Sequence, residues 1–179
     1  GMELNDVRRA MDEYASLTGR RYDPVHTYKC EDADYVMVGL GSVCDDVEAV
    51  VDYLRSQGKK VGVVSIKLLQ PFPEAEVVAA LKGKKAVTVL ERSEQTALTT
   101  LVTQALFKGC ENASQMRHEG IPAIKTMPRL TTAIFGLGGH VHGDDPLAAF
   151  RQHGGIGGSV ARQPAILRFG ALHIIVSAI

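Results

Sequence analysis

The residues best placed to do chemistry begin with Gly39-x-Gly41-x-x-Cys44, which nearly matches a dinucleotide-binding turn. In that turn two glycines bring the backbone close to a pyrophosphate and a third lets the helix pack on the strand; here the third position is a cysteine. The acidic residue expected at the end of the next strand to hold a ribose is also missing, and Lys67 stands there. The alternative is a tight strand-to-helix turn in an α/β domain that binds no nucleotide. A second group, His140-x-His142 with Asp144 and Asp145, has ligand types that suit a metal, but Gly138, Gly139 and Gly143 surround it, and a polar loop is the expectation. Cys44 falls in a first helical turn, where a thiolate is favoured, yet no base stands beside it, and a packed thiol is expected. Gly58-Lys59-Lys60 and Gly83-Lys84-Lys85 read as glycine C-caps followed by cations that complement the helix dipole. No nucleophile elbow, P-loop or HExxH motif is present.

These residues are positioned by a regular pattern. Tyr35–Leu40 is β-prone and almost wholly apolar, as a strand covered by helices on both faces must be. Gly41 breaks it, Ser42 suits an N-cap, and Asp45 completes a capping-box-like pattern. Val43, Val47, Val50, Val51 and Leu54 then form one apolar stripe on a helix spanning 43–57. The second strand is expected over Val61–Leu69, stopped by Pro71 and Pro73, with Pro73 in the first turn of a helix carrying Val77, Val78 and Leu81. The third strand is Ala86–Leu90, and Ser93 is the expected cap of a helix carrying Leu98, Leu101, Val102, Ala105 and Leu106. The three strands start about 25 residues apart, the pitch of βαβ crossovers. Leu130–Phe135 reads as a fourth strand and Leu147–Gln152 as a short last helix behind Asp145 and Pro146. Ile121–Ile124 fits either a short strand or an extended loop.

The expected fold is a three-layer α/β sandwich with a mostly parallel, open sheet of about four or five strands. Gly41, Ser42, Lys67, Gln70, Glu91 and Arg92 fall at or past the carboxyl ends of its strands, the edge where open α/β sheets bind ligands. Gly41, Ser42, Lys67 and Arg92 are the cofactor-binding candidates; no catalytic or metal residue is assigned. Ahead of this unit, Leu4, Val7, Met11 and Tyr14 mark a helix ending near Gly19, read as a connection from an upstream domain, and Arg20–Asp34 reads as a loop with some extended character. The division is 1–20 for the helix, 21–152 for the α/β domain and 153–179 for a glycine-rich linker and apolar tail.

Balanced charges (20 Lys and Arg against 20 Asp and Glu) argue against a nucleic-acid or anionic-membrane surface spread over the fold. The three cysteines, Cys30, Cys44 and Cys110, have no C-x-x-C spacing, so neither an iron–sulfur cluster nor a structural zinc is supported, and a reducing cytoplasm is expected. The start of the chain is polar and does not read as a signal peptide.

Several phrases, in order, resemble the pyruvate:ferredoxin (flavodoxin) oxidoreductase family, in its domain similar to the C-terminal domain of transketolase. They are Leu17-Thr18-Gly19-Arg20 with Tyr22; Tyr28; Gly41-Ser42; Val51-Asp52-Tyr53-Leu54; Gly58-x-x-Val61-Gly62-Val63; Leu68-x-x-Pro71-Phe72; Val89-Leu90-Glu91-Arg92; and Gly136-Leu137-Gly138-Gly139. The resemblance covers about residues 11–150 and departs from the family after Arg92. There a threonine-lysine-glutamate-proline-glycine turn is replaced by Ser93-Glu94-Gln95-Thr96. It implies an enzyme that decarboxylates 2-oxoacids oxidatively with thiamine diphosphate and coenzyme A, passing electrons through iron–sulfur clusters to ferredoxin or flavodoxin. Those cofactors are expected in other domains or subunits, because their motifs are missing here. The expectation is a supporting domain, inactive alone, whose partners are the other domains or subunits, with ferredoxin or flavodoxin for the whole enzyme, and a homo-oligomer as a further option. The competing readings are a free-standing nucleotide- or coenzyme A-binding module and an interaction domain without catalytic partners.

Overall fold

Tyr35–Leu40 has no charged side chain to place in solvent, and in the computed structural model it forms β2, with Val36, Met37 and Val38 fully buried. The structure describes residues 3–93 and 95–135, with the backbone of 165–169 and 172–178. On one side of β2 lies β3 (Val61–Ile66), parallel to it, with Val36 level with Gly62. On the other side lies β4 (Ala86–Glu91), with Val36 level with Val87, and beyond it β5 (Arg129–Ile134), both parallel. The antiparallel strand β1 (Val25–Tyr28) closes one edge against β3. A hairpin of β6 (Ala165–Phe169) and β7 (Leu172–Ala178) extends the other edge, where β7 pairs antiparallel with β5. The full order is β1-β3-β2-β4-β5-β7-β6.

The apolar sides of the strands feed two cores, which explains the absence of polar alternation. Helix α2 (Val43–Ser56) covers one face through Cys44, Val47, Val51 and Leu54 against Met37, Val61 and Val63. Helices α3 (Glu74–Leu81) and α4 (Ala97–Ser114) cover the other, packing Val77, Leu81, Val102 and Leu106 against Val38, Val64 and Val87. Helix α2 carries the chain from β2 to β3, while α3 carries it back past β2 to β4 and α4 onward to β5, so the connections lie on opposite faces, as right-handed crossovers require.

The expected fold class holds, and the differences are local. The stretch read as loop over Arg20–Asp34 contains β1, whose four residues are too few and too exposed to show a pattern. The second strand stops at Ile66, short of the expected Leu69, where its parallel pairing with β2 ends at Leu40. Ser42 occupies the N-cap of α2 in a helical conformation without a side-chain capping bond; the turn closes instead through Cys44 N–H to Gly41 O and Asp45 N–H to Ser42 O. Ser93 does not cap α4, which begins at Ala97 after Thr96. Pro73 caps α3 rather than entering its first turn. Ile121 and Ile124 lie in a loop, the latter held by its N–H to the Gly109 carbonyl. The expected helix over 147–152, the glycine-rich segment over 136–139 and the His140 and His142 pair lie outside the described residues.

Gly58 and Gly83 take left-handed conformations (φ 76° at both), as C-cap glycines do. The cations after Gly83, however, reach the chain ahead of β2 rather than the helix end. Lys84 donates to the Cys30 carbonyl, and Lys85 bonds Asp34 at 3.1 Å. Arg55, in the last turn of α2, donates to the carbonyls of Val61 and Lys29 and pairs with Asp32 at 2.7 Å, holding that carboxyl below its usual range. Gly62 is needed here for space, since a Cβ would lie 2.6 Å from the Lys29 carbonyl oxygen.

Cys30 is buried in this web and donates to the Val63 carbonyl at 3.3 Å. Burial pushes its thiol up to about 11. An unfolded thiol near 9 ionises first, so this contribution to stability is intact below pH 9 and is lost as pH rises through 11. We expect the urea midpoint to fall between pH 9 and 11, and to fall less in Cys30→Ala; an unchanged slope in the variant contradicts this. Under native conditions at pH 8 the half-exposed Cys110 should be the fast-reacting thiol toward a disulfide reagent, with Cys30 and Cys44 reacting on unfolding.

Candidate functional site

The sheet order places a reversal beside β2: the chain leaves it for β3 on one side and returns to β4 on the other. Loops diverge to opposite faces at such a point, opening a crevice at the carboxyl ends of the strands. A cleft of about 520 Å³ lies there, lined by Leu40, Gly41, Ser42, Val43 and Asp46 from β2 and α2. Its remaining lining is Leu69, Leu90, Glu91, Arg92, Ser93, Ala97, Leu98 and Phe135.

The structure thus brings Gly41, Ser42, Glu91 and Arg92 to one cleft. Lys67 and Gln70 are exposed beyond the end of β3 and do not line it. Gly41 sits at φ 86°, a conformation open to glycine at little cost, and it turns the chain into α2. Ser42 and Arg92 are exposed on the rim.

Glu91 is buried at the cleft floor, and its Oε1 accepts from the Thr99 N–H at 2.6 Å. It therefore fills the role expected of Ser93, because an acceptor from the neighbouring strand satisfies an orphan N–H in the first turn of α4. Thr99 also bonds Thr132 of β5 at 3.0 Å, which fixes α4 to both strands. The Thr96 N-cap itself has φ 41°, unusual for a β-branched residue. The sequence held a signal for Glu91 in its place at the end of an apolar strand, but its helix partner is eight residues on and follows from tertiary geometry.

The electrostatics do not make a phosphate cradle. A helix N-terminus attracts anions, but the first turn of α2 carries Asp45 and Asp46. Among the lining residues Arg92 is the sole cation, set against Asp46 and Glu91. Much of the wall is apolar, and Leu40 and Leu69 are about 40% exposed at its lip. What this arrangement can do is hold an apolar group beside one cation and two acids. Among the described residues no cluster of His, Cys, Asp and Glu has the makings of a metal site. No helix among them is long and apolar enough to cross a membrane.

Cys44, at the position of the missing third glycine, is fully buried. Burial pushes its thiol up, while the Ser65 hydroxyl and the Lys67 charge pull it partly back. Its sulfur fills the space over Gly39: a Cβ there would lie 2.9 Å from Cys44 Sγ. The turn therefore trades one glycine for another, with strand and helix spaced by a sulfur atom.

The fold and cleft together define a three-layer α/β domain with a partly apolar cleft at its topological reversal. Residues 33–142, more than half of the chain, match the family model described as pyruvate:ferredoxin oxidoreductase core domain II, and the chain belongs to that family. It is 35% identical over 127 residues to the pyruvate synthase subunit PorA of Thermotoga maritima, covering 71% of this chain and 30% of that one. To the PorA of Methanothermobacter thermautotrophicus it is 38% identical over 87 residues, with coverages of 49% and 23%. To a probable pyruvate-flavodoxin oxidoreductase of Escherichia coli it is 31% identical over 149 residues, 80% of this chain and 12% of that one. The chain thus spans less than a third of the length of these relatives. Among solved structures, a 2-oxoglutarate:ferredoxin oxidoreductase from Magnetococcus marinus superposes with a TM-score of 0.44 at 20% identity, covering 73% of this chain and 21% of that one.

Two outcomes follow. Gly39→Ala should cost about 1–3 kcal/mol by overpacking against Cys44, and the Gly39→Ala/Cys44→Ala pair should cost clearly less than the two single losses added. Strict additivity in urea unfolding contradicts the sulfur contact. Glu91→Ala should cost about 1–3 kcal/mol by stranding the Thr99 N–H, and Glu91→Gln, which keeps the acceptor, should recover at least about half.

Proposed function

We propose that this chain is a supporting domain of a 2-oxoacid oxidoreductase that decarboxylates its substrate oxidatively, passing electrons to ferredoxin or flavodoxin. The carrying observation is that the family match, residues 33–142, contains β2 to β5 and α2 to α4, the whole parallel unit. Thiamine diphosphate, coenzyme A and iron–sulfur clusters, implied by the family, are assigned to other domains or subunits. In support, Cys30 and Cys44 are buried in different cores, with Cys110 packed at the edge of the core that holds Cys30, an arrangement unsuited to holding a cluster. The 21–152 unit acts as a buttress, and its carboxyl edge, with Gly41, Ser42 and Arg92, faces a neighbouring part of the enzyme. Lys67 stands outside that contact. The site of action is the cytoplasm.

The size of the cleft favours one second reading, a small-ligand module for a nucleotide or coenzyme A, since about 300–1,000 Å³ is usual for ligand pockets. Thermal unfolding separates the two readings. A nucleotide at 100 times its Kd adds about 2.7 kcal/mol of stability, whereas the supporting-domain reading predicts no shift. For the function itself, the purified chain with thiamine diphosphate, coenzyme A, pyruvate and a viologen acceptor should reduce nothing. Reduction should appear when the remaining subunits are added, and turnover by the chain alone would falsify the proposal.

A further inference from the structure

Helix α1 (Leu4–Thr18) has well-formed ends and is only partly covered: Leu4, Val7, Met11 and Ala15 are half-buried, while Tyr14 and Leu17 are exposed. A capping box between Glu3 and Asp6 starts it, and Gly19 at φ 72° ends it. Leu4, Val7, Met11 and Ala15 recur on one face, yet not one residue of the helix is fully buried. An amphipathic helix of this length draws most of its stability from packing of its apolar face, and isolated it is marginal in water. Here Arg8 pairs with Glu76 of α3, and Met11 and Tyr22 border a cavity of about 340 Å³ between the helix and the body. Tyr14, Leu17 and Tyr22 are 43%, 79% and 51% exposed, and the rings of Tyr14 and Tyr22 are 5.8 Å apart. Glu76 lines the same cavity, and its Oε2 is buried without a hydrogen-bond partner.

We propose that α1, with Tyr22, is the docking surface for another domain of the same enzyme, which covers Tyr14, Leu17 and Tyr22. The occupant is chosen on two observations. The family match begins at residue 33, so α1 lies outside core domain II, and that numbering makes it one domain among several. Relatives that align with up to 80% of this chain are far longer than it, so most of such an enzyme lies beyond the present residues. The proposal rests on membership of the oxidoreductase.

The test compares amide hydrogen exchange of the full chain alone and in the enzyme assembled with its other subunits. Amides of residues 7–18 should slow by at least about 100-fold on assembly. Leu17→Glu, at a position so exposed that the isolated fold is unaffected, should weaken assembly by at least about tenfold, while Phe107→Glu on the outer side of α4 leaves it unchanged. Assembly with α1 exchanging as before, or with Leu17→Glu joining as tightly as the parent, overturns the proposal and leaves membership standing. Failure of the chain to assemble at all overturns both. Self-association of the chain alone, abolished by Leu17→Glu, puts a second copy on the helix and also overturns it.

Discussion

Burial of β2 on both faces is the constraint from which the rest of the architecture follows. Its Val36, Met37 and Val38 have no exposed surface, so each face needs its own helical cover and each side its own parallel neighbour. Supplying both covers from one chain forces the connection to change direction at β2, and the change of direction opens the cleft between Gly41 and Glu91. Fold and candidate site are thus two results of a single packing requirement.

The two edges of the sheet are finished by different physics. At the amino edge, Arg55, Lys84 and Lys85 bind carbonyls and carboxylates of the loop before β2, tying α2, β3 and β4 to one loop. These are partly exposed pairs whose value lies in geometry more than in Coulomb energy. The carboxyl edge has fewer such ties and more apolar surface, at Leu40, Leu69 and Phe135. An edge of that kind mixes apolar and polar surface as protein contact surfaces do.

Much of this was legible in the chain because its strongest signals are local. Tyr35–Leu40 could only be a strand buried on both sides, and the stripe from Val43 to Leu54 could only be one face of a helix. The resemblance carried by phrases such as Val89-Leu90-Glu91-Arg92 agreed with the family match. What escaped depends on contacts distant in sequence. β1 exists because β3 offers an edge, Glu91 caps a helix that Ser93 was expected to cap, and Lys84 chooses a carbonyl over a helix end. At the rim, proximity to a strand end grouped Lys67 with Gly41, Ser42 and Arg92. The order of the strands separated it, and that order is not readable from spacing alone.

A supporting domain must be present in the working enzyme and must carry none of its reactive groups. Native mass spectrometry of the oxidoreductase purified by its activity, followed by gas-phase dissociation, examines both conditions together. The account predicts this polypeptide in stoichiometric amount, released at its bare mass. Release with thiamine diphosphate or an iron–sulfur cluster attached, or an active enzyme that lacks the polypeptide, would contradict it.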